Sequence, residues 1–390
     1  MAASQDSSDV PRKKFFFYGY GSLNYFVYDW QTDHGRRNAM DLERLTIYPS
    51  YRYNPNLSVH AEIEFEHGGT GVTMEFDKFE EFGEFETEVE KGGEVLLEQL
   101  NLLFEWKPYF NVRAGRFKLP IGLNSQLDEP PDYFTTTRSE TESSILPTNW
   151  YEMGVDVFGK FGSCRRWSYH VAVVNGLDAT GFSSATWIVR GHQNRFETVN
   201  AEDWAVCARL DYEWIDDQFV GLSAYYGNSA NNRPKPDLGV DAHVTIVEGH
   251  ASLQRGPWIV RSIAIYGTLE NADEVSEANR NLSNNLNVKR TPVGSAALGI
   301  AGEVGFNVLS LTEMNRRLDI FARYEWYDTM FKVSGNVFDN PRWQRSVWTG
   351  GANYYFEPKV LIKAQYSARK LGVASSNHEN TFSLGLGFEF

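Results

Sequence analysis

Charges of opposite sign recur at every second position of this chain, and that spacing is the first hint of chemistry. Arg44 and Arg52 share one parity. Across the tight turn at Asn54-Pro55-Asn56 they meet a run carrying Glu62, Glu64 and Glu66, so Arg44 is expected near Glu64 or Glu66. Arg209 alternates with Asp211 and Glu213, and Arg323 with Asp319 and Glu325, while Glu303 and Lys363 take the same parity in their own segments. Mixed charges lining a watery interior would set up a transverse field that orients polar solutes and turns apolar ones away. The plainer reading is that such pairs neutralise one another and stiffen a wall, and the sequence leaves both open.

Hydrolytic or metal chemistry finds no comparable signal. None of the eight histidines, among them His34, His60, His67, His170 and His250, falls in an HExxH pattern, and no G-x-S-x-G occurs. No cofactor or metal set is expected. A formal charge of −14 removes the basic face that nucleic acid requires. Residues 69–93 hold Glu75, Asp77, Glu80, Glu81, Glu84, Glu86, Glu88 and Glu90 against Lys78 and Lys91, with Phe76, Phe79, Phe82 and Phe85 at regular spacing. A solvated acidic loop is the default for such a stretch. The phenylalanine row also suits a latch onto a neighbouring subunit. Bridging of the carboxylates by a divalent cation is the weaker alternative, since the loop lacks EF-hand spacing.

Only one kind of scaffold would hold these charges at period two. Aromatics are 15% of the chain, with 11 Trp, 20 Tyr and 26 Phe, yet no run of eighteen apolar residues occurs and the mean hydropathy is −0.43. A membrane barrel resolves that conflict, because alternate residues face lipid and water and the apolar signal averages away. Thr381 to Phe390 alternates cleanly, with Phe382, Leu384, Leu386, Phe388 and Phe390 opposed by Thr381, Ser383, Gly385, Gly387 and Glu389. Trp204 to Trp214 carries an indole at each end of its apolar face. Ten residues of strand rise about 33 Å, and a tilt near 45° brings this to about 23 Å, the height of an apolar membrane band. Indoles at both edges are what interfacial girdles require.

Segments of this type predict strands near 14–30, 41–53, 57–68, 94–106, 109–121, 151–161, 167–175, 203–215, 218–227, 240–253, 258–269, 295–308, 318–328, 346–356, 359–368 and 380–390. The pair at 240–269 alternates least clearly. Short turns alternate with long connections at 69–93, 122–150, 176–202, 228–239, 270–294 and 329–345, the asymmetry of a Gram-negative outer-membrane barrel with both termini in the periplasm. The expected fold is therefore all-β: a transmembrane antiparallel β-barrel of sixteen strands over residues 14–390, preceded by a polar segment at 1–13. The start lacks an apolar h-region, so the chain is read as a mature form without its export signal. Cys164 in a turn and Cys207 in a strand are poorly placed to pair. Outer-membrane lipid and lipopolysaccharide are the expected surroundings. Phe390, with Phe388 before it, has the form of the C-terminal signal that barrel-assembly machinery recognises, and deletion of Phe390 is expected to impair assembly.

Several blocks resemble the phosphate-selective porin O/P family, in the branch common in Bacteroidetes: AEIEFEHGGTG at 61–71, GGEVLLEQLNLLFEWKPYFNVRAGRFKLPIGLN at 92–124, DEPPDYFTTTRSETESSILPTNWYEMGVDVFG at 128–159, VVNGLDATGFSSATWIVRG at 173–191 and RTPVGSAAL at 290–298. The resemblance implies a homotrimer of sixteen-stranded barrels whose long third loop, here 122–150, folds into the pore. It also implies passive diffusion of small polar or ionic solutes. Phosphate as the solute fits poorly, since the loop sets Asp128, Glu129, Asp132, Glu140 and Glu142 against Arg138 alone. Counted over the inward parities, acids outnumber bases, so the expected selectivity is weak and leans to cations. A local anion site is the alternative if Arg113, Arg116, Lys118 and Arg138 converge. A structural or adhesive surface barrel without transport is a third reading.

Overall fold

The computed structural model describes residues 14–69, 72–77, 86–91, 93–193, 198–215, 218–282, 290–314 and 316–390, with backbone only at 72–77 and 86–91. Among these residues the strands are β1 (Phe15–Trp30), β2 (Ala39–Asn54), β3 (Leu57–Glu66), β4 (Val72–Asp77), β5 (Glu86–Lys91), β6 (Glu94–Lys107), β7 (Phe110–Lys118), β8 (Tyr151–Phe161), β9 (Trp167–Asn175) and β10 (Trp204–Ile215). The series continues with β11 (Gln218–Asn228), β12 (His243–Arg255), β13 (Trp258–Leu269), β14 (Ala296–Asn307), β15 (Arg317–Lys332), β16 (Gln344–Glu357), β17 (Val360–Leu371) and β18 (His378–Glu389). Two short helices, α1 (Glu140–Ile145) and α2 (Ala272–Arg280), lie in the connections. Sixteen of the strands close into one antiparallel barrel, and β4 pairs only with β5 as a separate hairpin. Each of the sixteen expected strands is present. The hairpin inside 69–93 was not foreseen. The acidic and phenylalanine side chains of that loop, and with them the subunit latch, lie outside the described residues, as do residues 1–13 and Asp216-Asp217.

Closure joins β1 to β18. Gly19 N–H donates to Phe390 C=O at 3.0 Å and Phe390 N–H donates back at 2.8 Å. The Phe390 and Phe388 rings lie over Gly19 and Gly21, where a Cβ would come within 2.8 and 2.7 Å of a ring carbon. Both rings are on the outer face, and Phe390 is exposed there, beside Phe17 at a centroid distance of 6.2 Å. The outer surface carries Leu97, Leu100, Leu102, Val155, Val171, Val173, Val206, Leu210, Ile300 and Ile362 as exposed apolar side chains. Aromatic pairs mark its two rims, among them Trp167 with Tyr212 and Trp258 with Phe306 near the short turns, and Tyr324 with Trp348 near the long connections. An apolar band between aromatic girdles is the surface a bilayer selects. Both cysteines are free thiols.

Near the long connections the inside of the barrel is apolar too. Val244 and Ile246 of β12 and Ile263 and Ile265 of β13 point inward and are buried against Leu177, Phe182, Trp187, Val275 and Val293 from the connections. Trp187 is fully buried, and its indole N–H donates to Gly294 C=O at 3.0 Å. These strands therefore carry apolar residues on both faces, which blurred their alternation at 240–269.

Candidate functional site: the lumen and the segment that crosses it

Residues 119–150 leave β7 and return to β8 through the barrel interior, bonded to opposite sides of the wall. On the β16–β18 side the backbone of 133–136 is held by inward side chains. Lys363 Nζ donates to Tyr133 C=O at 2.7 Å and to Thr135 C=O at 2.8 Å, Asn353 donates to Phe134 C=O at 2.8 Å, and Gln365 accepts from Thr136 N–H at 2.9 Å. On β15, Glu325 accepts from Ser139 Oγ at 2.5 Å and from Thr141 N–H at 3.2 Å. Glu140 accepts from Tyr327 and Arg369.

The wall makes room for this by omitting side chains. A Cβ at Gly305 would sit 2.1 Å from the Phe134 ring, one at Gly299 2.6 Å from Thr141, and one at Gly387 2.6 Å from Pro130. Phe134 stacks on Phe321 at 5.4 Å. Backbone N–H and C=O groups taken out of water must find partners. The polar residues alternating with these glycines are the partners.

On the other side Asp128 gathers bases. Arg44 donates to its carboxylate at 3.1 Å and to its carbonyl at 2.8 Å, Lys118 Nζ donates at 2.6 Å, Tyr20 OH at 3.0 Å, and Arg138 completes the group. Burial raises the cost of this carboxylate, yet Lys118 and Arg44 hold it below the usual carboxylate range. Strand register does set Arg44 opposite Glu66, but its guanidinium turns to Asp128. Other loop acids behave differently. Burial pushes Glu142, which accepts from Asn124 N–H at 2.8 Å, up to about 8. Burial, with Glu389 nearby, pushes Glu129 up to about 7, and burial raises Asp132 to about 6.

The remaining charges pair by cross-strand register more often than by sequence adjacency. Arg209 does bond Asp211, at 2.8 Å, and also holds Gly122 C=O and Ser125 Oγ at 2.9 Å each. Glu213 instead takes Lys160 at 2.8 Å. Arg323 and Arg261 share Glu303 at 2.8 Å, and Asp319 takes Arg317. Glu62 and Glu64 point inward but are buried: Tyr48, Tyr151 and Gln99 all donate to Glu62, and Thr46 to Glu64 at 2.6 Å. Arg52 is exposed at the short-turn end. Arg113, Arg116, Lys118 and Arg138 do not form one cluster, since Arg113 goes to Asp156 at 2.7 Å and Arg116 to Glu98 at 3.7 Å.

Sequence reasoning missed the surroundings of His250, which lies buried between Glu248 at 2.9 Å and Asp211 at 3.0 Å, with Arg209 Nη2 2.7 Å from its Nε2. Gly221 lets it cross β11, because a Cβ there would lie 2.4 Å from its Nε2. Period two placed His250 inward, but only register brings Asp211 to it.

Between the crossing segment and the β1–β10 wall two cavities remain. One, of about 320 Å³, is lined by Tyr18, Gln99, Lys118, Gln126, Glu129 and His170 among others. The second, of about 230 Å³, lies toward the short turns and includes Ser50, His60, Leu103 and Phe158. Tyr18, Tyr48, Gln99 and Arg113 line both. The fold is a porin-type barrel. The anion-selective porin of Comamonas acidovorans aligns with a TM-score of 0.56 at 9% identity, over 96% of this chain and 99% of that one. The outer-membrane channel DcaP of Acinetobacter baumannii gives 0.55 at 12% over 96% and 97%, and a loop L8 deletion mutant of Vibrio cholerae OmpT gives 0.54 at 12% over 96% and 99%. An uncharacterised protein of Aquifex aeolicus (strain VF5) is 29% identical over 356 residues, covering 89% of this chain and 74% of its own length. No family model matches the chain. At these identities the solved structures speak for the porin-type fold.

Proposed function

We propose that this chain is a diffusion channel of a Gram-negative outer membrane, with residues 119–150 as its constriction. One observation carries the reading: a segment pinned across the inside of a closed, lipid-facing barrel leaves a polar cavity of about 320 Å³ between itself and the β1–β10 wall. Among the described residues the polar cluster nearest to a catalytic set is Ser223, Glu248, His250 and Asp211. There Ser223 Oγ donates to Glu248 rather than to the imidazole, so no nucleophile–base pair forms, which favours a channel over an enzyme. The resemblance to the phosphate-selective porin O/P family rests on its five sequence blocks. Those blocks, and a solved Vibrio cholerae OmpT described as a trimer form, support a homotrimer.

Selectivity is weak in this reading, and its sign departs from the charge count. In most wall pairs the base stands in front of its acid. The Arg113 side chain is 22% exposed and Asp156 fully buried, Arg116 is 15% and Glu98 5%, and Lys118 is 13% and Asp128 8%. Arg44, Arg209 and Arg323 are exceptions, all three being buried, and Glu140 is more exposed than its partner Arg369. A mobile ion meets the exposed partner first, so the constriction favours anions modestly. With a Debye length of about 8 Å at 0.15 M salt, the preference should fade in concentrated electrolyte.

Purified in mild detergent, where native mass should read three copies, and reconstituted in a planar bilayer, the protein should give stepwise ohmic conductance with a small anion-favouring reversal potential in a potassium chloride gradient. A folded barrel that passes no current would leave the structural or adhesive reading in its place. Phe390 is assigned to biogenesis by the barrel-assembly machinery. Its deletion should lower the folded, heat-modifiable fraction in outer membranes containing lipopolysaccharide, and an unchanged folding yield would count against that assignment.

A further inference from the structure

The two lumenal cavities differ from a plain aqueous path in what they share. Tyr18 and Tyr48 stack at 4.4 Å with an interplanar angle of 5°, and across the tract Phe158 stacks on His170 at 5.1 Å and 8°. Arg113 lies between them, its guanidinium 5.4 Å from the Phe158 centroid. It is only partly spent. Its Nη2 donates to Asp156, its Nε is buried without a partner, and Nη1 bonds no described residue. The acids of this tract are withdrawn, with Asp156 and Glu62 fully buried and the latter saturated by donors from Tyr48, Tyr151 and Gln99.

Flat aromatic faces beside a half-buried guanidinium whose Nη1 bonds no described residue fit one class of solute. From this geometry we infer that the short-turn half of the lumen holds a subsite for aromatic monocarboxylates, with the ring against Tyr18, Tyr48 and Phe158 and the carboxylate on Arg113. Offset stacking and cation–π contact favour an aromatic ring over a saturated one of equal size, and the charged guanidinium donates through Nη1 to a carboxylate oxygen. The cavity of about 230 Å³ compares with about 30 Å³ for each water in the liquid, so a single ring enters with several waters retained. A ring in this position would displace poorly bonded water from aromatic faces while leaving Lys118 and Asp128 hydrated beyond it. The inference rests on the channel reading and refines what that channel retains.

Binding and conductance can be read separately on the folded, detergent-solubilised barrel and in bilayers. Titration with benzoate, cyclohexanecarboxylate, acetate and phosphate, followed by ligand-detected NMR, should rank benzoate first by about three- to tenfold over the other two carboxylates. Benzoate should also interrupt the chloride current. Tyr18 is 42% exposed and makes no side-chain hydrogen bond to a described residue, so Tyr18→Ala should keep the heat-modifiable fold while flattening the difference between benzoate and acetate. Arg113→Gln should weaken all three carboxylates alike. Equal affinity for benzoate and acetate, retention of the difference in Tyr18→Ala, or displacement of benzoate by phosphate at equal concentration would each overturn the subsite. Saturable benzoate binding by a barrel that never conducts would instead overturn the channel reading and leave the subsite standing.

Discussion

The two halves of the barrel wall treat the same crossing segment in opposite ways. From β13 to β18 the segment lies close on the inner face, with Gly299, Gly305, Gly385 and Gly387 all under loop atoms, and Glu325, Asn353, Lys363 and Gln365 bond backbone groups of 133–141 while Arg261 and Arg323 keep to Glu303. From β1 to β10 the inner face keeps its tyrosines, arginines and histidines and meets the segment mainly at Asp128 and at Gly122 to Ser125. One half is the drier seat, and the other the wetter wall that borders the cavity of about 320 Å³. Holding a segment across a barrel therefore uses two kinds of contact, one that removes side-chain volume and satisfies peptide groups, and one that holds a few charges at fixed distances.

The largest expected disturbance strikes the charged contact on the wet side. Replacing Asp128 by Asn leaves Arg44, Lys118 and Arg138 converging without their shared anion, and breaking a buried pair of this kind costs about 3–5 kcal/mol. The barrel itself should survive, since its ladder of strand pairing is untouched. The segment 119–150 should detach from β2, seen as proteolytic cleavage within it, a larger single-channel conductance and a stronger anion preference. A variant with wild-type conductance and protease resistance would show that the dry seat alone holds the segment.

A smaller effect is expected on the dry side. Gly305→Val places a methyl-bearing carbon into the Phe134 ring, and overpacking of this sort costs about 1–3 kcal/mol. Gly302 of the same strand is the control, because its nearest neighbour to a Cβ is a backbone oxygen at 4.0 Å and it faces outward. Gly305→Val should raise the current noise as 133–136 lifts from the wall, and Gly302→Val should match the parent. Equal behaviour of the two variants would mean that Phe134 is not seated on β14.

How far this division could be read beforehand depended on which period carried it. The barrel was legible because lipid imposes alternation on every strand, and even Pro49 within β2 did not hide it, since it pairs with Phe17 on β1 and the β3 pairs either side of it, Ile47 with Ile63 and Ser50 with His60, stay in register. Inward placement of Arg44, Arg209, Arg323 and Lys363 followed from the same rule. Their partners did not. Lys363 counted as a lumenal base, yet both bonds of its ammonium go to carbonyls of a segment more than two hundred residues away. Gly385 and Gly387 read as the polar face of the last strand without any sign that they were seats for Thr136 and Pro130. A count of acids and bases carries no depth: Asp156 is fully buried behind Arg113, and Glu62 is fully buried under Tyr48, Tyr151 and Gln99. Period two reports a face, and only three-dimensional register reports what covers it.

The test that sharpens the comparison most concerns pH. Glu142 sits at the junction of the two halves, on α1, buried beneath Gly122 with Asn124 N–H as its donor, and its pKa is raised from an ordinary 4.5 to about 8. A carboxyl whose folded value lies above its unfolded value binds more protons when folded. Its contribution to the attachment of the segment is thus fully present below about 4.5 and is lost as pH rises through about 8. Asp128 runs the other way, since its folded value is depressed and its contribution is lost only in strong acid. Between these limits the wet contact should stay constant while the junction weakens. Glu142→Gln keeps the acceptor oxygen for Asn124 and removes its titration, so protease resistance of 119–150 should fall from pH 5 to pH 9 in the parent and fall less in the variant, where Glu129 and Asp132 still titrate. A decline of equal steepness in both would assign the pH response to another group, with Glu129 and Asp132, raised to about 7 and about 6, next to be replaced.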